Sequence, residues 1–272
     1  MTKSAVPART RKAKGGQTPM APAVLKACGV LAEIARATGP MTAGDLARQL
    51  ELPKSTVVDI CQTLVELDHL RRDQDFRFAL GGSMVRISRG LFLGFPLLET
   101  FDRAIQAVDQ PSHRTVVMAT LDGSDIAVTA VHHGRIVLPI TATVGLYLPA
   151  WTTASGHALL SEHSIGELSG LLSAPSATAM GVPGEVPAAE ELFERIARQK
   201  ERGYFVDFQQ TAVGMRGVSA PLFLPGVDKP VAAVTVATID ETGSAEAEIE
   251  LLGDMARRIV RQTIRLSSDV RK

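Results

Sequence analysis

The apolar period of this chain changes once, and that change limits what it can fold into. From Val24 to about Val108 the apolar residues recur every three or four positions; after Pro111 they gather in short runs rich in Val, Ile and Thr. The first spacing puts apolar side chains on one stripe of a helix, and the second suits strands. The spacing predicts a helical N-terminal part followed by strands and helices, several strands joined by hairpin turns. That is an α+β chain with an antiparallel sheet.

The helical part has internal punctuation. Leu25, Cys28, Leu31 and Ile34–Ala35 form the stripe of a first helix, stopped by Gly39-Pro40. Thr42-Ala43-Gly44-Asp45 reads as a capping box opening a short helix to about Leu50. Leu52-Pro53 makes a tight break before a third helix, which buries Val57, Ile60, Cys61, Leu64 and Leu67. Two short runs, His69–Arg72 and Phe76–Leu80, flank the polar turn Asp73-Gln74-Asp75 and read as a hairpin.

Three helices and a hairpin make a winged helix-turn-helix, whose third helix presents its outer face to the major groove of DNA. That face carries Lys54, Ser55, Thr56, Val58, Asp59 and Gln62, with Thr42 at the head of the preceding helix. Ser55 and Thr56 permit close approach, and Lys54 can neutralise a phosphate. Asp59 cannot meet a phosphate but can accept from cytosine N4. Arg71, Arg72 and Arg77 are the candidates for phosphate contacts from the wing.

A net charge of zero argues against nucleic acid only until it is divided by position. Residues 1–26 hold six basic residues and no acid, residues 27–90 hold eight of each, and residues 91–272 carry an excess of six acids. Residues 1–22 cannot bury a core and are expected to be a disordered basic arm. Cys28 and Cys61 both fall in apolar stretches and are expected to be reduced core thiols, and no Cys/His spacing suggests a metal. The chain has neither 18 consecutive apolar residues nor the apolar core of a secretory signal, so no membrane role is expected.

After Gly81-Gly82, the residues Met84, Val85, Ile87, Leu91, Phe92 and Phe95 make a helix too apolar to stand alone, and a partner chain's helix is expected to cover it. A further helix runs from Leu97 to about Val108. Strands are expected at Thr115–Leu121, Ile126–Val131, Ile136–Thr141, Tyr204–Phe208, Gly217–Leu224 and Val231–Thr238. Helices are expected at Ala154–Leu160, Ile165–Leu172, Ala188–Arg202 and Ser244–Leu266, with a loop over 173–187.

The segment Pro149–Gly156 leads into one of these helices, where backbone N–H groups attract an anion and Ser155 adds a hydroxyl. Leu146, Tyr147 and Trp151 would supply an apolar wall. His132-His133 beside Gly134 reads as a solvated turn. Ser155, His157 and Asp207 could be drawn as a hydrolytic triad, but no G-x-S-x-G elbow surrounds the serine, and residues two apart on a helix do not face each other. No enzymatic activity, metal or cofactor is expected.

Four segments occur in a telling order: Leu52-Pro53-Lys54-Ser55-Thr56-Val57; Leu80-Gly81; Val144-Gly145 with Pro149 and Ala154-Ser155-Gly156-His157-Ala158-Leu159-Leu160; and Arg202-Gly203-Tyr204 with Asp207 and Gly214-Met215-Arg216-Gly217-Val218-Ser219-Ala220-Pro221. With them the chain resembles the IclR family of bacterial transcription regulators over about residues 22–268. The resemblance implies a winged-helix DNA-binding domain (23–82), a linker helix (83–97) and a GAF/PAS-like effector-binding and oligomerisation domain (98–272). It implies a cytoplasmic homodimer or homotetramer on operator DNA, more often a repressor than an activator, that responds to a small organic molecule such as a carboxylate. By the same resemblance the effector site would hold Ala154, Ser155, Gly156, His157, Asp207, Gly217, Thr235 and Ala237.

The chain departs from the family pattern at several positions. Asp59 stands where Arg is usual, His69 for Gly, His157 for Lys, and Gln209-Gln210 for an acidic pair. Gly217 replaces a small polar residue, and Thr235 and Ala237 replace two serine-like ones. These changes remove hydrogen-bonding side chains and add volume, so the expected ligand is larger and less polar than a two-carbon acid, such as an aromatic acid. The rival reading is a DNA-free small-molecule-binding or hydrolytic protein built on the C-terminal domain.

Overall fold

The computed structural model describes residues 21–37, 39–94, 96–108, 114–173, 185–208, 211–239 and 246–270. Residues 1–20 of the basic arm, Gln209-Gln210, Phe95 and the side chains of Leu91 and Phe92 lie outside the described residues. The chain divides into two compact units between Gly94 and Phe95.

The first unit runs α1 (Pro22–Arg36), β1 (Met41–Thr42), α2 (Ala43–Gln49), α3 (Lys54–Glu66), β2 (Leu70–Arg72), β3 (Arg77–Leu80) and α4 (Ser83–Gly94). Val30, Ile34, Leu46, Val57, Cys61, Leu64, Leu70 and Phe78 form its core. Pro22, whose fixed φ suits a first helical turn, starts α1 two residues earlier than the apolar stripe suggests. The stripe itself is rotated from the expected one. Val30 and Ile34 turn inward, leaving Val24 61% and Leu25 40% exposed and Cys28 outside, so Cys28 is not a core thiol. Cys61 is buried, which pushes its thiol up to about 11. Leu67, expected to be buried, is 55% exposed because α3 has already ended and the left-handed Asp68 turns the chain away.

The hairpin gains a third strand, in the order β1-β3-β2, with Met41 opposite Phe78. Thr42 caps α2, accepting from Asp45 N–H at 3.2 Å and donating to the Asp45 carboxylate at 2.7 Å. That hydroxyl, helped by Arg48, holds the Asp45 carboxyl below its ordinary range. The junction of β3 with α4 is tight. A Cβ on Gly81 would lie 2.3 Å from the Asp68 carbonyl oxygen. Ser83 Oγ donates to that same oxygen at 2.6 Å, so His69 Nδ1 must carry the proton that it shares with Ser83 Oγ at 2.5 Å. The histidine found in place of glycine thus ties the start of the hairpin to α4.

The second unit runs α5 (Pro96–Gln106), β4 (Thr115–Asp122), β5 (Asp125–His132), β6 (Tyr147–Pro149), a 3-10 turn (Ala150–Thr152), α6 (Ala154–Leu160), α7 (Ile165–Leu172), α8 (Ala189–Lys200), β7 (Phe205–Phe208), β8 (Met215–Leu222), β9 (Ala232–Ile239) and α9 (Glu246–Val270). The strands form one antiparallel sheet in the order β6-β5-β4-β9-β8-β7. Alternation along β8 and β9 gives each face its own core. Val218, Ala220, Val234 and Val236 pack with Phe101 and Ile105 of α5 and Leu252 and Ile259 of α9. On the other side Ile126, Phe205 and Ala233 pack with Leu159, Leu168, Leu192 and Ile196 of α6, α7 and α8.

One strand expectation is overturned. Ile136–Thr141 forms no strand, and the place beside β5 is taken by β6, with Ile126 opposite Leu148. Pro139 cannot donate to a ladder, and the run instead aims Leu138 and Ile140 into a cavity over the sheet.

Candidate functional site

In the first unit, α3 begins after Pro53, which offers no capping side chain, so the N–H groups of its first turn meet none. Lys54, Ser55, Asp59 and Gln62 are exposed on the helix, and Thr56 and Val58 are half-buried. Arg71, Arg72 and Arg77 are exposed on the hairpin. Among the described residues the side chains of Lys54, Gln62, Arg71 and Arg77 have no hydrogen bond or ion pair, which leaves their donors available. Thr42 does not join this group, because its hydroxyl is committed to Asp45 in both directions.

The hairpin tip has an unusual backbone. Phe76 N–H bonds the Asp73 carbonyl, Asp73 N–H bonds the Arg77 carbonyl, and Phe76 adopts φ 58°. This places a phenylalanine at the left-handed position of a bulged turn, where glycine is the natural occupant. A left-handed residue with a side chain costs roughly 1–2 kcal/mol. The Arg72 guanidinium lies 5.0 Å from the Phe76 ring centroid, a contact that returns about 0.5–1 kcal/mol at an exposed site.

In the second unit a cavity of about 540 Å³, open mouth included, lies between the sheet, the start of α6 and the 136–146 segment. Of the expected residues, Leu146, Ala154, Ser155, Asp207, Gly217, Thr235 and Ala237 line it. Four others do not. Tyr147 directs its hydroxyl to Asp122 at 3.3 Å, and Trp151 packs against the α6–α8 core. Gly156 is pressed against the chain, where a Cβ would lie 1.9 Å from the Ala150 carbonyl oxygen, and its N–H is taken by Thr153 Oγ1 at 2.9 Å. His157 is fully buried and donates from Nε2 to the Trp151 carbonyl at 2.9 Å, leaving Nδ1 without a partner. Burial pushes this imidazole down to about 4, so it is neutral.

The remaining walls come from residues that sequence reasoning missed, chiefly Val117, Val128, Leu138, Ile140 and Met215. Period-two alternation could have found Met215, which shares a strand face with Gly217. Thr153 and Thr211 contribute hydroxyls at the polar end.

The direction of the hydrogen bonds there can be worked out. Ser219 Oγ donates to the Val234 carbonyl, a group that can only accept, and Thr235 Oγ1 donates to Ser219 Oγ at 2.9 Å. Ser155 must then donate to Thr235 across 2.6 Å. Thr211 donates to the Thr152 carbonyl, and its N–H meets the Asp207 carboxylate at 3.2 Å. Ser155 and Thr211 therefore have their protons committed within the fold and can serve the cavity only as acceptors, and none of the described lining residues is basic. Ser155 and His157 face different partners and form no relay. Among the described residues, no three His, Cys, Asp or Glu side chains are grouped to hold a metal.

Two family models match the chain. One, described as the IclR helix-turn-helix domain, covers residues 23–74, and the other, the bacterial transcriptional regulator IclR C-terminal domain, covers residues 94–263. The chain is 25% identical over 193 residues to the transcriptional repressor IclR of Escherichia coli K12, covering 70% of each. Its fold is similar to that of a regulator from Silicibacter sp. TM1040 (TM-score 0.75, 19% identity, 90% of this chain and 96% of that one). It is also similar to that of an IclR homolog from Microbacterium hydrocarbonoxydans complexed with 4-hydroxybenzoate (TM-score 0.69, 22% identity, 89% of this chain and 98% of that one).

Proposed function

Because the chain belongs to the IclR family of bacterial transcriptional regulators, we propose that its α3 and wing read an operator and that its cavity holds the small molecule that controls the reading. The observation that carries this is one chain bearing both an exposed polar helix face in a helix-turn-helix unit and a largely apolar cavity in the family's C-terminal domain. The relatives named as repressors favour repression. The division we propose follows the units of the fold and shifts the expected bounds slightly: residues 22–82 for DNA, α4 (83–94) as the linker helix and 95–272 for effector binding and oligomerisation, with residues 1–21 as a basic arm. The exposed apolar residues Val24 and Leu25 of α1 and Val85 and Ile87 of α4 favour a homo-oligomer. No helix of the described residues is long and apolar enough to cross a membrane, and a regulator of this family would act in the cytoplasm.

The proposed effector is an aromatic acid carrying a hydroxyl group, of the kind held by the Microbacterium homolog. The apolar walls suit its ring, and the hydroxyl acceptors Ser155 and Thr211 suit its hydroxyl. With no basic residue among the described lining residues, its carboxylate would be met by N–H groups or lie at the mouth. The partners of Ser155 and His157 give a hydrolytic reading no support.

Two measurements test these proposals. A gel shift with the DNA upstream of the chain's own gene is expected to show a complex, and none with full-length protein would sink the regulator reading. A thermal-shift series of 4-hydroxybenzoate, benzoate, phenol and glyoxylate is expected to rank the first highest. Stabilisation by glyoxylate alone would refute the enlarged apolar pocket.

A further inference from the structure

Phe76 is difficult to explain by the fold alone. It is 66% exposed at the tip of the hairpin and sits in a left-handed conformation that glycine would adopt freely. The ring buries little, and its contact with Arg72 does not repay the backbone. Its surroundings are basic on balance, with Arg71, Arg72 and Arg77 set against Asp73 and Asp75. The Asp73 carboxylate is folded into the turn, accepting the N–H groups of Asp75 at 3.0 Å and Arg77 at 2.8 Å. What the tip offers outward is an aromatic ring backed by the Arg72 guanidinium, with the exposed Asp75 carboxylate beside it.

An apolar side chain among cations suits the minor groove of duplex DNA, where deoxyribose walls are apolar and phosphates line both rims. We propose that Phe76 is a DNA-contacting residue, seated against the sugar wall of the minor groove while Arg72, stacked on its ring, faces the neighbouring phosphate. The inference rests on the reading of this hairpin as a DNA-binding wing and adds a contact that no phosphate-directed charge supplies. Because the contact is apolar, it adds affinity without adding to the salt dependence, which counts neutralised phosphates.

The strained backbone provides the test. Phe76→Gly removes the ring and relaxes φ, so fold stability and DNA affinity should move in opposite directions. Binding of full-length protein to a labelled duplex from the DNA upstream of its own gene would be measured across a salt series, beside Phe76→Trp, Lys54→Ala and Arg77→Ala. Phe76→Gly is expected to keep or raise the thermal midpoint, to weaken binding about tenfold, and to leave the slope of log K against log[salt] unchanged. Phe76→Trp should bind like the parent. Unchanged affinity in Phe76→Gly, while Lys54→Ala and Arg77→Ala weaken binding, would overturn the contact and leave the DNA reading standing. A slope lowered by about one would transfer the effect to Arg72, and a lowered thermal midpoint would make Phe76 structural; either result overturns the proposal. Failure of the parent to bind would remove both.

Discussion

The two units treat their polar groups in opposite ways. On α3 and the wing, Lys54, Gln62, Arg71 and Arg77 stand outside the hydrogen-bonding of the fold, with their donors directed to nothing among the described residues. In the cavity, Ser155, Thr211 and Thr235 are bound to one another or to backbone carbonyls, and Asp207 accepts from Thr211. The difference teaches where function can be altered without altering the fold. On the proposed reading, single exposed charges would tune DNA affinity, whereas a change at the polar end of the cavity would disturb the sheet and α6 that hold it.

The sharpest way to break this comparison is at Gly156. Gly156→Ala forces a methyl group onto the Ala150 carbonyl and is expected to cost about 3 kcal/mol or more, read as a large drop in the thermal midpoint. A variant with the parental midpoint would show that α6, which backs the cavity, has room to shift away from Ala150.

His157 predicts an effect of similar size, spread over pH. The unfolded imidazole takes a proton near 6.5 and the buried one only near 4, so the unfolded state binds more protons between these values. Stability should therefore fall as pH drops from 6.5 to 4, by about 3 kcal/mol in all. His157→Gln should flatten that part of the stability profile, and parallel profiles would reject the shift.

Smaller effects belong to the first unit. Lys54→Ala and Arg77→Ala should each weaken DNA binding and lower the salt slope by about one, with stability within about 0.5 kcal/mol of the parent. Unchanged slopes in both would remove those contacts. The smallest effect is expected from deleting residues 1–22, a loss of affinity visible mainly at low salt. Equal binding by the truncated protein there would show that the arm takes no part.

What could be read in advance depended on whether the signal was local. The expected bounds of α6 and α7 match the structure, where Thr153 caps one and Ser164 with Glu167 boxes the other, signals close in sequence to the helices they start. The α2 cap was legible for the same reason. The facing of α6 was not, because all seven of its residues are buried and a helix that is apolar on every side shows no preferred face. The family resemblance placed His157 at the effector site, and the structure turns it to the Trp151 carbonyl instead. The apolar run Ile136–Thr141 was ambiguous in another way, since alternation serves a cavity roof as well as a ladder. In α1 two apolar stripes competed, and only the tertiary core decided that Val30, rather than Cys28, lies inside.

The junction between the hairpin and α4 has a mechanical consequence. Gly81 leaves no slack against Asp68, and the His69–Ser83–Asp68 bonds clamp the first turn of α4 to the base of the hairpin. A wing mounted this way cannot swivel independently of the helix that follows it. Rotation of α4 about its axis would thus be expected to carry the hairpin and its tip with it, making α4 a lever for the wing.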